Sequence, residues 1–553
     1  MFQGLTYASL NTDLNDTEIW RTSTAEPTAH GIIWTYVKDV SNYVPLWKQQ
    51  QSVIFDLGNI VNSIYTGSFD TTLTATFFTE QSTPAAADII YPISAQQSSA
   101  ELGSAWSVPQ QNASSTLKIP QNVKRAVFSV SACGQIDEEF WWSNVLSSDT
   151  QTFPNNTLLG YSTFREIQLL IDGQLAGVAW PFPVIFTGGV VPGFWRPIVG
   201  IDAFDLKEDE IDVTPWLPVL SDGQEHTYEI RVVGITDDGN GNGILTTVGS
   251  YWVVSGKLFL WLDEADSITT GSTVIKNDPD PSFFLASHVE TASNGTNLTL
   301  GYQVLAQRQL SFSSTITTSN GSQQAAWSQT LSFSNIGNLT NGGLTQINTQ
   351  MTNGVNVASS GFSTRFAYPL LVWSTVSITN SGNDIAIVAT MDRGKNAQVV
   401  GPSAFPTGAE SFESNTTYNG ASYGTRQNGS ANYVALASSN TSQSWGTTEQ
   451  DFTLSGLLAG GPSYPNFPPV GPIQQLYSRH VLAVNATVIQ DSNPSSSSEG
   501  YIGGHAPQLG SGDYGSNQNF VAPPEGSVIF GRHPHIQKRN ALYRRGASFG
   551  NFH

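Results

Sequence analysis

The sequence predicts an all-β protein of several units, and three observations carry that prediction. The 553 residues include 51 Gly and 28 Pro, a density of turn formers that punctuates many short extended segments. No stretch sustains an apolar period of 3.6 residues, whereas period-two alternation recurs along the chain. The length exceeds what one core organises, so two to four domains are expected.

Composition narrows the function classes. A net charge of −20 argues against nucleic acid or anionic membrane as partner, and no apolar run reaches transmembrane length. The lone Cys133 gives no disulfide framework and reads as a small core residue. The eight histidines lack ligand spacing and neither HExxH nor CxxC occurs, so no metal or cofactor is expected. Eleven Asn-x-Ser/Thr sequons, at Asn15, Asn112, Asn155, Asn294, Asn297, Asn320, Asn338, Asn415, Asn428, Asn440 and Asn485, favour a secretory route. Met1 opens directly into polar sequence without a signal peptide, which suggests a cytosolic protein or a mature or truncated chain.

In order along the chain, a short strand is expected at Asn15–Arg21, then Val53–Leu57, a connection over Asn59–Ser68, and a strand at Leu73–Phe78. The pair Ile211-Asp212-Val213-Thr214 and Thr227–Val233 repeats that order of apolar-Asp-apolar, turn and strand. This weak repeat suggests two related β-sandwich domains in tandem, at 1–112 and 113–265. The Ser/Gln/Ala-rich segment Ala95–Ser115 would join them. The second unit holds a strand at Arg165–Ile171, the turn Asp172-Gly173, and a Pro/Gly-fixed loop from Trp180 through Pro197 to Asp205. Residues 280–488 alternate Ser/Thr with apolar residues, as in Leu310–Ser313 and Ala386–Ala389, and read as a third, structural β domain. Residues 489–553, rich in Ser, Gly, Pro and Asn, read as a disordered tail whose pairs Lys538-Arg539 and Arg544-Arg545 would be solvated or processed by a protease. A monomer, intact or nicked, is expected.

One stretch departs from this background. The strand Ala126–Ser131 runs through Cys133 and breaks at Gly134 into Asp137, Glu138 and Glu139, followed by Phe140, Trp141 and Trp142. Charged residues make up 12% of the chain, so three acids against three aromatics stand out. Carboxylates bond hydroxyls or activate water, and flat rings cover the apolar face of a sugar. The bland reading is a loop whose aromatics fold back onto a core.

These residues also carry a resemblance. SACGQIDEEFWWSNV, REIQLLIDGQLAGVAWPFPVIFTGG, PGFWRPIVGIDAFDL and IDVTPWLP, with TEIWRTSTAEPT and IFDLGNIVNSIYTGSF, resemble the peptide-N-glycosidase A-type amidases of plants and fungi over roughly residues 15–265. The resemblance implies two consecutive jelly rolls, a secreted or vacuolar enzyme, and hydrolysis of the amide joining N-acetylglucosamine to asparagine in an N-glycosylated peptide or denatured glycoprotein. It implies catalytic carboxylates among Glu139, Glu138 and Asp137, with Glu139-Phe140 similar to a Glu-Trp pair of a distant bacterial relative. It implies substrate contacts from Trp195 and Arg196, and Glu80 as a candidate second glutamate. Trp141, Trp142, Trp180 and Asp202 complete the expected sugar-binding set. The family's aromatic-Asp-Arg segment has no counterpart in Met1–Tyr7, which suggests an N-terminal truncation and a chain poor in activity as it stands. A glycoside hydrolase with paired carboxylates, and a carbohydrate-binding or inactive member, are the alternative readings.

Overall fold

The computed structural model describes residues 16–26, 31–57, 68–79, 86–379, 384–413, 417–437, 439, 441–458 and 473–493, with the backbone of 9–10. Strands β1 (Ser9–Leu10), β2 (Thr17–Glu18) and β3 (Val53–Ile54) form a small antiparallel sheet in the order β2-β1-β3.

The centre of the molecule is a sandwich. Its strands are β4 (Ile89–Ile93), β5 (Trp106–Val108), β6 (Ser114–Leu117), β7 (Val123–Gln135), β8 (Glu166–Ile171), β9 (Gln174–Ala179), β10 (Asp209–Asp212), β11 (His226–Asp237), β12 (Gly243–Thr246) and β13 (Tyr251–Leu262). One five-stranded sheet runs β10-β7-β13-β4 with β5 also on β13; the other runs β12-β11-β8-β9 with β6 also on β11. Period two sorts their residues. Ala126, Phe128 and Val130 of β7 and Val254 and Leu258 of β13 share one core with Ile167 and Leu169 of β8 and Ile230 and Val232 of β11. The β8–β9 hairpin turns at Asp172 (φ 49°) and Gly173 (φ 74°), two positive φ values that an Asp-Gly pair tolerates.

Twelve strands then form one sheet: β14 (Thr270–Gly271), β15 (Ile275–Asn277), β16 (Ser282–Thr291), β17 (Asn297–Thr318), β18 (Gly321–Thr340), β19 (Thr345–Ala358), β20 (Ser363–Thr379), β21 (Asp384–Val400), β22 (Gly420–Leu436), β23 (Thr441–Leu457), β24 (Ile473–Val484) and β25 (Thr487–Ser492). From β17 to β25 it is an antiparallel meander, with β14, β15 and β16 all pairing with β17. The 22 residues of β17 far exceed the usual strand length. Along it Leu300, Tyr302, Val304, Ala306, Arg308, Leu310 and Phe312 are buried and alternate with less buried residues such as Gln303, Gln307 and Ser311. The inner row belongs to the core of the sandwich itself.

The all-β reading stands, with local corrections. Leu73–Phe78 is not a strand: the segment has no regular structure, and Leu73, Phe77 and Phe78 are 56%, 69% and 84% exposed. Alternation without a neighbouring strand leaves backbone groups to water. The proposed repeat therefore has no structural echo there. Strands β4 and β5, assigned to the first unit and its linker, pair with β13 and belong to the central sandwich. The twelve-stranded sheet, called the third sheet after the two of the sandwich, continues to Ser492; the remainder of the expected tail, from residue 494, lies outside the described residues.

Candidate active site

The outer face of β7 and β13 supports the region. Its two ends are greasy. Val127, Phe259 and Trp261 pack with Ile19, Tyr43 and Leu46 at one end, and Cys133 and Val253 pack with Val184, Phe186 and Ala203 at the other. Between them Ser129, Ser131, Ser255 and Lys257 form a polar seam, each buried. Glu18 fills it. Arg21 donates to both its carboxylate oxygens at 2.7 Å, Ser255 Oγ donates to Oε2 at 2.6 Å, and Lys257 Nζ donates to its backbone carbonyl at 2.6 Å. Burial alone would raise the Glu18 pKa, but Arg21, then Lys257 and Ser255, hold it below the usual carboxylate range. Lys257 also pairs with Glu208 at 2.8 Å, which accepts from Ser129 and Tyr43.

At the end of β7 the chain turns sharply. A Cβ on Gly134 would stand 2.2 Å from the carbonyl oxygen of Glu138, so only glycine fits. Ile136 follows with φ 56°, a costly conformation for a β-branched residue. The short turn Ile136–Glu138 follows, with Glu139 directly after it. Glu138 is completely buried and bound by Arg165 (2.5 and 2.8 Å), Trp252 Nε1 (2.9 Å) and the Gly249 N–H (2.9 Å). Burial opposes its charge, yet Arg165 and these donors keep its pKa lowered. Both its oxygens are thus bonded within the fold. Glu139 is 8% exposed and lies on the turn beside Phe140, whose ring borders Gly189 of the long loop. Asp137 is half-buried.

The four tryptophans expected to bind sugar lie inside the fold. Trp141, Trp142, Trp180 and Trp195 are 3%, 3%, 2% and 2% exposed and are members of the main core. Trp141 lies against Trp252, and Trp142 against Phe140. Trp180 donates to Glu166 at 2.9 Å, and Trp195 to the Gly189 carbonyl at 2.8 Å. These rings anchor the core, each with an apolar neighbour and two of them with a buried acceptor.

The loop 180–206 is held from two sides. Toward the N-terminal segment, the Ser23 N–H donates to the Ala203 carbonyl and the Leu206 N–H to the Arg21 carbonyl. Arg196, half-buried, pairs with Glu26 at 3.2 Å; burial raises the Glu26 pKa and Arg196 opposes the shift. Toward the third sheet, inward polar side chains meet loop carbonyls. Arg393 Nη1 donates to Pro183, Gln427 to Val199 and Thr448 to Phe194. Asp202, with φ 62°, pairs with Lys395. Arg393 lies by the rings of Phe182 and Trp195, and burial pushes its pKa down to about 9. The same sheet donates from Asn335 to the Trp142 carbonyl and from Gln346 to Ser143.

The structure brings Phe140 of the turn against Gly189 of the loop, where Trp195 bonds the Gly189 carbonyl; Arg196 is held by Glu26 and Asp202 by Lys395, and Glu138 and Trp180 lie inside the core. Glu80 lies outside the described residues. Sequence reasoning missed Glu18, Arg21 and Lys257, although the acid three residues before an arginine in TEIWR was a legible signal. It also missed Arg393, which nothing local distinguishes. For a metal, Glu449, Asp451 and His480 bring donor atoms within 4.8 Å of one another on β23 and β24. The 2.8 Å His480–Asp451 pair accounts for that grouping without an ion.

Comparison with known proteins places these features. The family described as peptide N-acetyl-beta-D-glucosaminyl asparaginase amidase A matches residues 4–279, and its C-terminal domain matches residues 301–370. Peptide-N4-(N-acetyl-beta-glucosaminyl)asparagine amidase A of Prunus dulcis is 33% identical over 277 residues, covering 47% of this chain and 46% of the relative. The chain thus aligns with about half the length of that relative. No solved structure matches. With the sandwich, the Glu139 turn and the long loop all inside the matched segment, the chain belongs to the peptide N-acetyl-beta-D-glucosaminyl asparaginase amidase A family.

Proposed function

We propose that the protein hydrolyses the amide between N-acetylglucosamine and asparagine in N-glycopeptides, releasing the glycan and leaving aspartate. The observation that carries the proposal is the family match over residues 4–279, which contains the turn where Glu139 is separated from the structurally committed Glu138. Glu139 serves as general base. It takes a proton from water as the water oxygen bonds to the asparagine Cγ, and that proton passes to the nitrogen as the Cγ–N bond breaks. The glycosylamine leaves and hydrolyses in solution. Arg196, the cation of the loop 180–206, is the donor assigned to the developing oxyanion. Glu18 and Arg21 hold the floor of the site rather than react, because their atoms are bonded to each other and to β13.

Incubating the purified chain with a defined N-glycopeptide tests this. The expected product is a peptide carrying Asp in place of glycosylated Asn. A peptide retaining one N-acetylglucosamine would indicate a glycoside hydrolase instead, and retained binding without cleavage a carbohydrate-binding protein.

A further inference from the structure

The outward face of the third sheet carries an exposed apolar patch in the middle of a polar surface. Cross-strand register assembles it. Asn338 of β18 faces Ile347 of β19, which faces Trp373 of β20, which faces Thr390 of β21. In the neighbouring row on the same face, Ile336 faces Thr349, which faces Leu371. On the other side Thr340 faces Thr345, which faces Thr375, which faces Val388. Ile336, Ile347, Leu371 and Val388 are 54%, 39%, 41% and 38% exposed, and Trp373 is half-buried. No element among the described residues is paired over them.

The patch is built around a sequon. Asn338-Leu339-Thr340 places Asn338 and Thr340 on the outward face, with Leu339 buried between them. Asn338 is exposed. Neighbouring strands lie about 4.8 Å apart and same-face residues on one strand about 6.8 Å apart. Ile347 is thus one strand from Asn338, Ile336 one pleat away, and Trp373 two strands away. We propose that Asn338 is N-glycosylated and that the first N-acetylglucosamine units lie down over Ile336, Ile347 and Trp373, making the chain's own glycan the cover of this face. The apolar faces of the sugar rings meet the aliphatic and indole surfaces, and their hydroxyls meet Thr345, Thr349, Thr375 and Thr390 around them. A glycan attached to the patch needs no recruited partner. Its chemistry matches a surface too apolar to stay bare and too interspersed with threonine to be a dry interface.

The test expresses the full chain behind a secretion leader in a eukaryotic host and maps every sequon by glycopeptide mass spectrometry. The expected result is occupancy of Asn338 in most molecules. Binding of a hydrophobic-surface dye is expected to rise several-fold in Asn338→Gln, and also when the native glycan is trimmed enzymatically to a single sugar on the folded protein. Adding Ile347→Thr and Leu371→Thr to Asn338→Gln returns dye binding toward the glycosylated level. Thr340→Val, which keeps Asn338 and removes the sequon, reproduces Asn338→Gln and separates loss of glycan from loss of asparagine. An unmodified Asn338 in the secreted chain overturns the proposal, whether or not other sequons are occupied. So does an occupied Asn338 whose removal and trimming both leave dye binding unchanged.

Discussion

At the residue scale, the role proposed for Glu139 differs from the bonded place of Glu138, and the difference is measurable. Glu138 neutralises Arg165 inside the core, so Glu138→Gln leaves an uncompensated buried guanidinium and should cost about 3–5 kcal/mol of stability. Glu139→Gln should leave the melting temperature within a few degrees while lowering turnover by about 10²-fold or more. Thermal melting and glycopeptide turnover on both variants check the pair; equal losses of stability would place Glu139 in the framework too. A second prediction concerns pH. Burial pushes Asp209 up to about 6 and Glu210 up to about 7, with the Ala404 N–H and Ser403 opposing the latter. Both pKa values lie above their unfolded ones, so the folded chain holds the extra protons. Stability from these groups is fully present below pH about 4 and is lost as pH rises through 7. Glu210→Gln should remove on the order of 1–2 kcal/mol of that slope, read from urea midpoints between pH 5 and 8.

At the element scale, β9 closes the second sheet of the sandwich with an open edge, and a side chain closes it. Gln329 of β18 accepts from the Val178 N–H at 3.0 Å and donates to the Val178 carbonyl at 2.8 Å, completing a ladder where no strand follows. Gln329→Leu keeps volume and removes both bonds, leaving two buried backbone groups unpaired. The expected cost is about 2–4 kcal/mol, with faster hydrogen exchange at Val178 than at Val232. Most of the strands were legible in the sequence, because alternation survives wherever one face is buried, as in β7, β8, β11 and β17. Leu73–Phe78 misled for the same reason: alternation states which residues share a face, not whether a partner strand exists. At the site, the acidic-aromatic turn was visible as a departure from background. The roles of its rings were not, because burial of Trp141 and Trp142 depends on Trp252 and the third sheet, far away in sequence. Gln329, Asn335 and Arg393 look like ordinary polar positions of a solvent-facing strand, and only packing shows that they point inward.

At the scale of the whole molecule, the third sheet is part of the candidate active site. It reads in sequence as a structural appendix, yet it supplies Lys395 to Asp202, Arg393 to the Trp195–Phe182 region and donors to five loop carbonyls. A chain ending near residue 265 would leave those carbonyls and the core faces of β8 and β9 bare. The expectation is an aggregating product, measured as soluble yield, with recovery when residues 266–493 are co-expressed. Soluble, fully active 1–265 would contradict it.

The inward donors of the long meander also impose an order of events in the cell. The loop at 180–206 leaves the ribosome well before Arg393, Gln427 and Thr448 exist. At about 5–20 residues per second the delay is roughly 10–50 s. Through that interval the sandwich carries its strained turn and its loop with nothing to bond the carbonyls but water. The geometry of the candidate site is therefore a late product of synthesis, completed by strands that arrive after the residues of the turn and loop have been waiting for them.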